Sequence, residues 1–256
     1  MSDRVDLNCD MGESFGAYHI GADEAVFPYI TSANVACGFH GGDPTVMRTT
    51  LARARTHNVA VGAHPGFPDL IGFGRRNIDA TSDEVYDMVV YQVGALLGFA
   101  SAAKMELQHV KAHGALYNMA VGKPDLAAAI ARAVRDVDRS LVLFGLPDSY
   151  LISEGEAAGL RTASEAFADR NYMSDGTLVS RRRPDAHVSD AGEAVARAIR
   201  MVREGVVTPV DGPPISMRVD TICIHGDGPH AAVFAQQLRS GFEKAGISVR
   251  ALGRAG

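Results

Sequence analysis

Short apolar runs alternate with longer segments of helical periodicity along the whole chain. Residues 5–9, 32–37, 59–63, 107–112, 141–144, 160–164 and 221–224 are brief, apolar and often closed by glycine. Runs of that kind predict strands buried on both faces of a parallel sheet. A last apolar run, 247–252, predicts an edge strand or an eighth strand. Between the runs lie helix signals. Asp43-Pro44 pairs a capping carboxylate with proline at the first helical position, and Met47, Leu51 and Ala54 follow on one face to an end near Asn58. Thr81 and Glu84 have capping-box spacing ahead of Val85, Met88, Val89, Val93, Leu96 and Leu97. Pro124-Asp125 opens a helix carrying Leu126, Ile130 and Val134. Residues 189–203 carry Val195, Ile199 and Val202, and residues 229–244 carry Val233, Leu238 and Phe242. No Ser/Pro-rich linker and no repeat interrupts the alternation, so residues 1–256 are expected to form a single domain. Strand–helix repetition gives a parallel sheet, open and doubly wound or closed into a barrel. Seven or eight units in this length favour an α/β fold of the β/α-barrel type.

The rare polar residues sit at the ends of the predicted strands. Asp10 and Glu13 follow the first, His40 and Asp43 the second, His64 the third, and Lys111 and His113 the fourth. Glu165 closes the sixth with Asp169 and Arg170 just beyond, and His225 and Asp227 close the seventh. The fifth strand, ending at Gly145, carries no titratable group. In parallel α/β folds these strand ends share one face, where sites are built. A single histidine there is often structural, Asp43 is expected to be a helix cap, and Asp227 ahead of Gly228-Pro229 has the same option. Six strand ends carrying imidazole or carboxylate together indicate one shared site.

Charge and composition narrow the chemistry. With 25 Lys+Arg against 30 Asp+Glu the chain is mildly acidic, which argues against nucleic acid as a partner. The longest uncharged stretch, 88–103, is interrupted by Gln92, Gly94 and Gly98 and falls short of a membrane span. The N-terminus has no signal-peptide core, and Cys9, Cys37 and Cys223 lack a CxxC spacing, so reduced thiols in the cytoplasm are expected, serving as small wall residues. Neither GxxxxGK[ST] nor GxGxxG occurs, so no nucleotide cradle is predicted. Imidazoles and carboxylates around one mouth suit general acid–base hydrolysis, and an Asp with two His also suits a divalent metal gathered from several strands. Lys111 and Arg170, with Arg75 and Arg76 nearby, would receive a small anionic substrate, whereas 181–183 is expected to be a solvated arginine loop.

Eight segments resemble the lactam-utilisation (LamB/YcsF) family: DLNCDMGE at 6–13, SANVACGFHGGD at 32–43, GAHPGFPD at 62–69, FGRR at 73–76, HVKAHGALYN at 109–118, EAFADRNY at 165–172, DGTLV at 175–179 and HGD at 225–227. Ala112, Gly66, Ser14 and Asn171 depart from the residues most frequent there, which bears on loop geometry. The resemblance implies a seven-stranded β/α barrel related to glycoside hydrolases and polysaccharide deacetylases. It also implies opening of 5-oxo-L-proline to L-glutamate by a 5-oxoprolinase in which this chain is the A component beside partner subunits B and C, with ATP as co-substrate bound through the partners. On that basis Asp10, His64, His113, Glu165 and Asp227 are candidate catalytic groups, and Glu13, His40, Lys111, Arg170 and His225 candidate substrate contacts. The base would be Asp10, Asp227, His64 or His113, with a second histidine protonating the departing nitrogen. Two other readings predict different behaviour: a stand-alone metal-dependent amidohydrolase or deacetylase, and a non-catalytic lactam-binding subunit.

Overall fold

In the computed structural model, which describes residues 4–224 and 231–253, six strands follow one another in parallel: β1 (Arg4–Met11), β2 (Ser32–Ala36), β3 (Ala60–His64), β4 (Leu107–Lys111), β5 (Val142–Gly145) and β6 (Arg161–Phe167). A two-residue antiparallel hairpin, β7 (Val206–Val207) with β8 (Ile215–Ser216), stands apart. β9 (Thr221–Ile224) then pairs with β6 through Glu165↔Thr221 and with β1 through Asp6↔Thr221, so the seven strands close into a barrel. The last apolar run forms β10 (Ser248–Val249), an edge strand on the first residues of β1.

The helices are α1 (Asp23–Val26), α2 (Pro44–Thr56), α3 (Ser82–Ala102), α4 (Gly114–Gly122), α5 (Pro124–Val137), α6 (Tyr150–Ala157), α7 (Ala191–Glu204) and α8 (Ala231–Lys244). The caps behave as the sequence predicts. Asp43 accepts from Val46 N at 2.9 Å, and Thr81 and Glu84 complete a capping box. α4, α6 and the hairpin carry no such signal: neither His113 nor Ser149 makes a side-chain cap bond, and two-residue strands have no period to detect. α3 is long and apolar enough to cross a membrane by length and composition. Its buried stripe of Val85, Val89, Val93, Leu96 and Ala100 belongs instead to the core between helices and barrel, where α3 packs on α5 and β3.

Strand alternation sends Val5, Leu7, Cys9 and Met11 outward into that core. It sends Asp6, Asn8 and Asp10 inward, and the barrel interior is correspondingly polar. Buried polar groups need partners, and here they form a ladder. Asp6 accepts from Thr31 (2.7 Å), Ser32 (2.6 Å) and Thr221 (2.6 Å). Burial raises its pKa and the three hydroxyls oppose that rise. Asn8 Nδ2 donates to Thr221 at 2.7 Å, and Asn34 Nδ2 donates to Asn8 Oδ1 at 2.7 Å and to Asp10 Oδ1 at 2.8 Å. His109 reaches across from β4, its Nε2 donating to Asn34 Oδ1 at 2.7 Å while its ring stacks on Phe144. That reach requires Gly62 on β3, because a Cβ there would overlap the His109 imidazole.

Gly62→Ala is therefore expected to destabilise the protein by about 1–3 kcal/mol, the usual cost of overpacking a filled core. Thermal melting of purified variant and parent measures it. An unchanged melting temperature would show that the interior yields at His109.

Candidate active site

Glycines bring the loops after β1, β2 and β3 into contact above the C-terminal strand ends. Gly42 has φ +77°, and a Cβ on it would sit 2.8 Å from Ala36 O and 3.0 Å from Gly12 O. Gly74, at φ +61°, would place a Cβ 2.7 Å from His40 and 2.8 Å from His113. The loop after β3 is held from outside by Gln92 of α3, a buried side chain that accepts from Gly66 N (2.9 Å) and donates to Gly66 O (3.0 Å).

Two linked groups of side chains occupy this end. In the first, Lys111 Nζ lies 2.8 Å from Asp10 Oδ1, 3.0 Å from Glu165 Oε1 and 3.0 Å from Cys223 Sγ. Burial works against the Lys111 charge, but the carboxylates of Asp10 and Glu165 outweigh it, and the ammonium pKa is held well above its ordinary value. Burial pushes the Cys223 thiol well up, so it stays protonated beside the ammonium. In the second group, His64 Nδ1 donates to Lys111 O at 2.8 Å and His113 Nε2 donates to Phe73 O at 2.8 Å. Their other ring nitrogens, His64 Nε2 and His113 Nδ1, face each other at 2.9 Å. Glu13 Oε1 lies 3.6 Å from His113 Nδ1 and 3.4 Å from His40 Nε2. The His40 ring stacks on His113 with centroids 3.6 Å apart and planes 1° from parallel. Burial lowers the pKa of both His40 and His113 well below the usual imidazole range, with neighbouring imidazoles adding to it. His64 Nε2 joins the two groups, 3.4 Å from Asp10 Oδ2.

A cavity of about 910 Å³ opens over both. Asp10, His64, Lys111, His113 and Arg170 line it, whereas Glu13, His40 and Glu165 are buried behind them. The proposed residues His225 and Asp227 lie outside the described residues. Arg170 spends part of its guanidinium on Val179 O (2.5 Å) and Ala186 O (3.3 Å), fastening the 179–187 loop, and burial with Arg181 nearby brings its pKa down to about 10. The 181–183 arginines are solvent-exposed as expected, and Arg181 and Arg182 also stand at the cavity wall. One expectation is extended: Cys223 touches the Lys111 ammonium as well as being a wall residue. Residues not singled out from sequence also matter: Tyr117 lines the cavity and neighbours Glu165, Asn34 orients Asp10, and Gln92 anchors Gly66. Tyr117 and Asn34 lie inside the recognisable segments. Gln92, a polar residue in an apolar helix stripe, was a signal of its own.

Comparison with known proteins gives the family and the fold. The sequence profile described as the LamB/YcsF family matches residues 5–255. A protein from Tolumonas auensis, named as the A subunit of 5-oxoprolinase, is 58% identical, with 97% of this chain and 99% of that protein covered. The protein of the same name from Bacillus subtilis is 56% identical, with 97% of each covered. Among solved structures, the lactam utilization protein from Thermus thermophilus superposes with a TM-score of 0.92 at 48% identity, over 97% of this chain and 100% of that one. A putative cellobiose-phosphate cleavage protein from Enterococcus faecalis, at 12% identity and a TM-score of 0.55 over 97% of each chain, shares the fold.

His109 generates a pH prediction. Burial lowers its pKa to about 3 from an ordinary 6.5, so it folds as the neutral ring. The stability tied to neutrality is present above pH 6.5 and is lost as pH falls from 6.5 toward 3, a change on the order of a few kcal/mol. Melting temperature measured across that window should fall, and His109→Gln, which keeps a donor to Asn34, should show a shallower fall. An identical slope in the variant would remove His109 from acid unfolding.

Proposed function

The chain belongs to the LamB/YcsF family, and from that premise and its site we propose that it is the ring-opening A component of an ATP-dependent 5-oxoprolinase. A five-membered lactam is a resonance-stabilised amide with a poorly electrophilic carbon. Partner subunits B and C use ATP to phosphorylate the carbonyl oxygen, leaving ADP; this chain adds water to the activated carbon and breaks the C–N bond to give an acyl phosphate, and a second water hydrolyses that to glutamate and inorganic phosphate. The absence of a nucleotide motif in this sequence accords with that division of labour. A reducing, cytoplasmic setting accords with three free buried cysteines.

The observation that carries the reading is the placement of Asp10. It is the one carboxylate among the described residues lining the cavity, and Asn34 and Lys111 hold its Oδ1 at 2.8 Å each. Its Oδ2 is thereby turned toward His64 and the cavity. Asp10 takes a proton from the attacking water and returns it to the departing ring nitrogen. The Lys111 ammonium stands where it can offset charge developing on the carbonyl oxygen in a site screened from solvent. Arg170, Arg75, Arg181 and Arg182 supply positive charge at the cavity wall for the substrate carboxylate or phosphoryl oxygens. The cavity is far larger than one five-membered ring and has room for an activated, phosphoryl-bearing form.

Reconstitution with the two partner subunits tests this. ATP-dependent glutamate formation from 5-oxoproline should require the chain, and a panel of other small lactams should be opened more slowly. Asp10→Asn should lower the rate of glutamate formation by roughly 10²–10⁴-fold, the usual loss of a general base, in protein shown by circular dichroism to be folded, with a lower melting temperature because the buried Lys111 ammonium loses a charged partner. Near-normal turnover in that variant would instead identify a lactam-binding subunit without catalytic chemistry.

A further inference from the structure

We propose that His64 Nε2, His113 Nδ1 and Glu13 Oε1 form a binding site for one divalent cation of the zinc class. The inference goes beyond the lactam reading and does not depend on it.

Each imidazole donates its outer N–H to a backbone carbonyl, His64 to Lys111 O and His113 to Phe73 O, both at 2.8 Å. This is how proteins fix the tautomer of a metal-ligating histidine. With those outer N–H groups committed to carbonyls, the nitrogens left to bind a ligand are His64 Nε2 and His113 Nδ1, which face each other at 2.9 Å. A divalent cation beside them would be bonded by both ring nitrogens at once. Glu13 Oε1 completes the triangle at 3.6 Å from His113 Nδ1. Separations of 2.9 and 3.6 Å bracket the ~3.3 Å between donor atoms bonded tetrahedrally at about 2.0–2.1 Å. Nitrogen and carboxylate oxygen donors without thiolate suit zinc and its neighbours over magnesium or calcium.

The histidine stack decides the role of His40. Glu13, His40, His64 and His113 offer atoms all within 4.8 Å of one another. Yet His40 and His113 lie in parallel planes with centroids 3.6 Å apart, and one cation cannot lie in the plane of both rings. His113, facing His64, is the ligand. His40, with Nε2 3.4 Å from Glu13 Oε1, positions the carboxylate. Asp10 Oδ2, 3.4 Å from His64 Nε2, borders the remaining open position on the cavity side.

The full chain, stripped with chelator and titrated with zinc chloride by calorimetry, should take up one equivalent. Cobalt(II) in its place should give the visible absorption of tetrahedral coordination. His64→Gln and His113→Gln should each weaken zinc binding at least 100-fold, with folding checked by circular dichroism. His40→Gln should keep one equivalent and lose roughly tenfold in affinity, as for a residue behind a ligand. His57→Gln, an exposed histidine elsewhere, should bind as the parent does. If a histidine variant fails to fold, Glu13→Gln and nitrogen-15 histidine NMR of the parent serve in its place, the zinc-induced shifts being expected at His64 and His113. Absence of saturable uptake by the parent, or uptake unchanged in the folded His64 and His113 variants, would overturn the proposal.

Discussion

A buried ammonium organises this end of the barrel. Lys111 Nζ touches Asp10 of β1, Glu165 of β6 and Cys223 of β9 from its own place on β4, so one cation ties four strands together at the mouth. Removing a charge from water is costly, and the arrangement stands only because two carboxylates share the cation at 2.8 and 3.0 Å. Loss of one member would strand the others, with a penalty of about 3–5 kcal/mol for breaking such a pair. The same contacts that make this cluster structural also aim Asp10 at the cavity. Here stability and chemistry draw on the same atoms.

From that centre the polar interior runs downward without a gap. Asn34 links Asp10 to Asn8, Asn8 links to Thr221, and Thr221 to Asp6. His109 enters the ladder from the side through the space left by Gly62. A small apolar cluster of Val142, Phe144 and Ala163 on β5 and β6 stands beside the ladder, with Phe144 stacked on His109. The main hydrophobic core lies outside the strands, beneath the helices. The outer core supplies the bulk of the burial, and the interior ladder fixes orientation.

The strands, the capped helices and the ring of imidazoles and carboxylates were legible because each rests on local chemistry. Period and capping place α2 and α3, and the fixed polarity of parallel strands brings Asp10, His64, Lys111 and His113 to one end. What escaped depends on contacts across the fold. Nothing near Asn34 in sequence says that it bonds Asp10 and His109, and nothing near Arg181 says that its loop folds back over the mouth. The division between groups facing the cavity and groups behind them was equally hidden. Glu165 and Asp10 look alike at strand ends, but only β6's position against β5 and β9 buries the first behind Lys111.

The filled interior has a consequence for traffic. With side chains bonded from Asp6 at the floor to Asp10 at the top, the described barrel offers no passage along its axis. Whatever reaches Asp10 must come and go by the same doorway. If an activated molecule is handed over there by a neighbouring protein, delivery and departure must take turns, and the docked neighbour has to loosen its hold before the opened chain can escape.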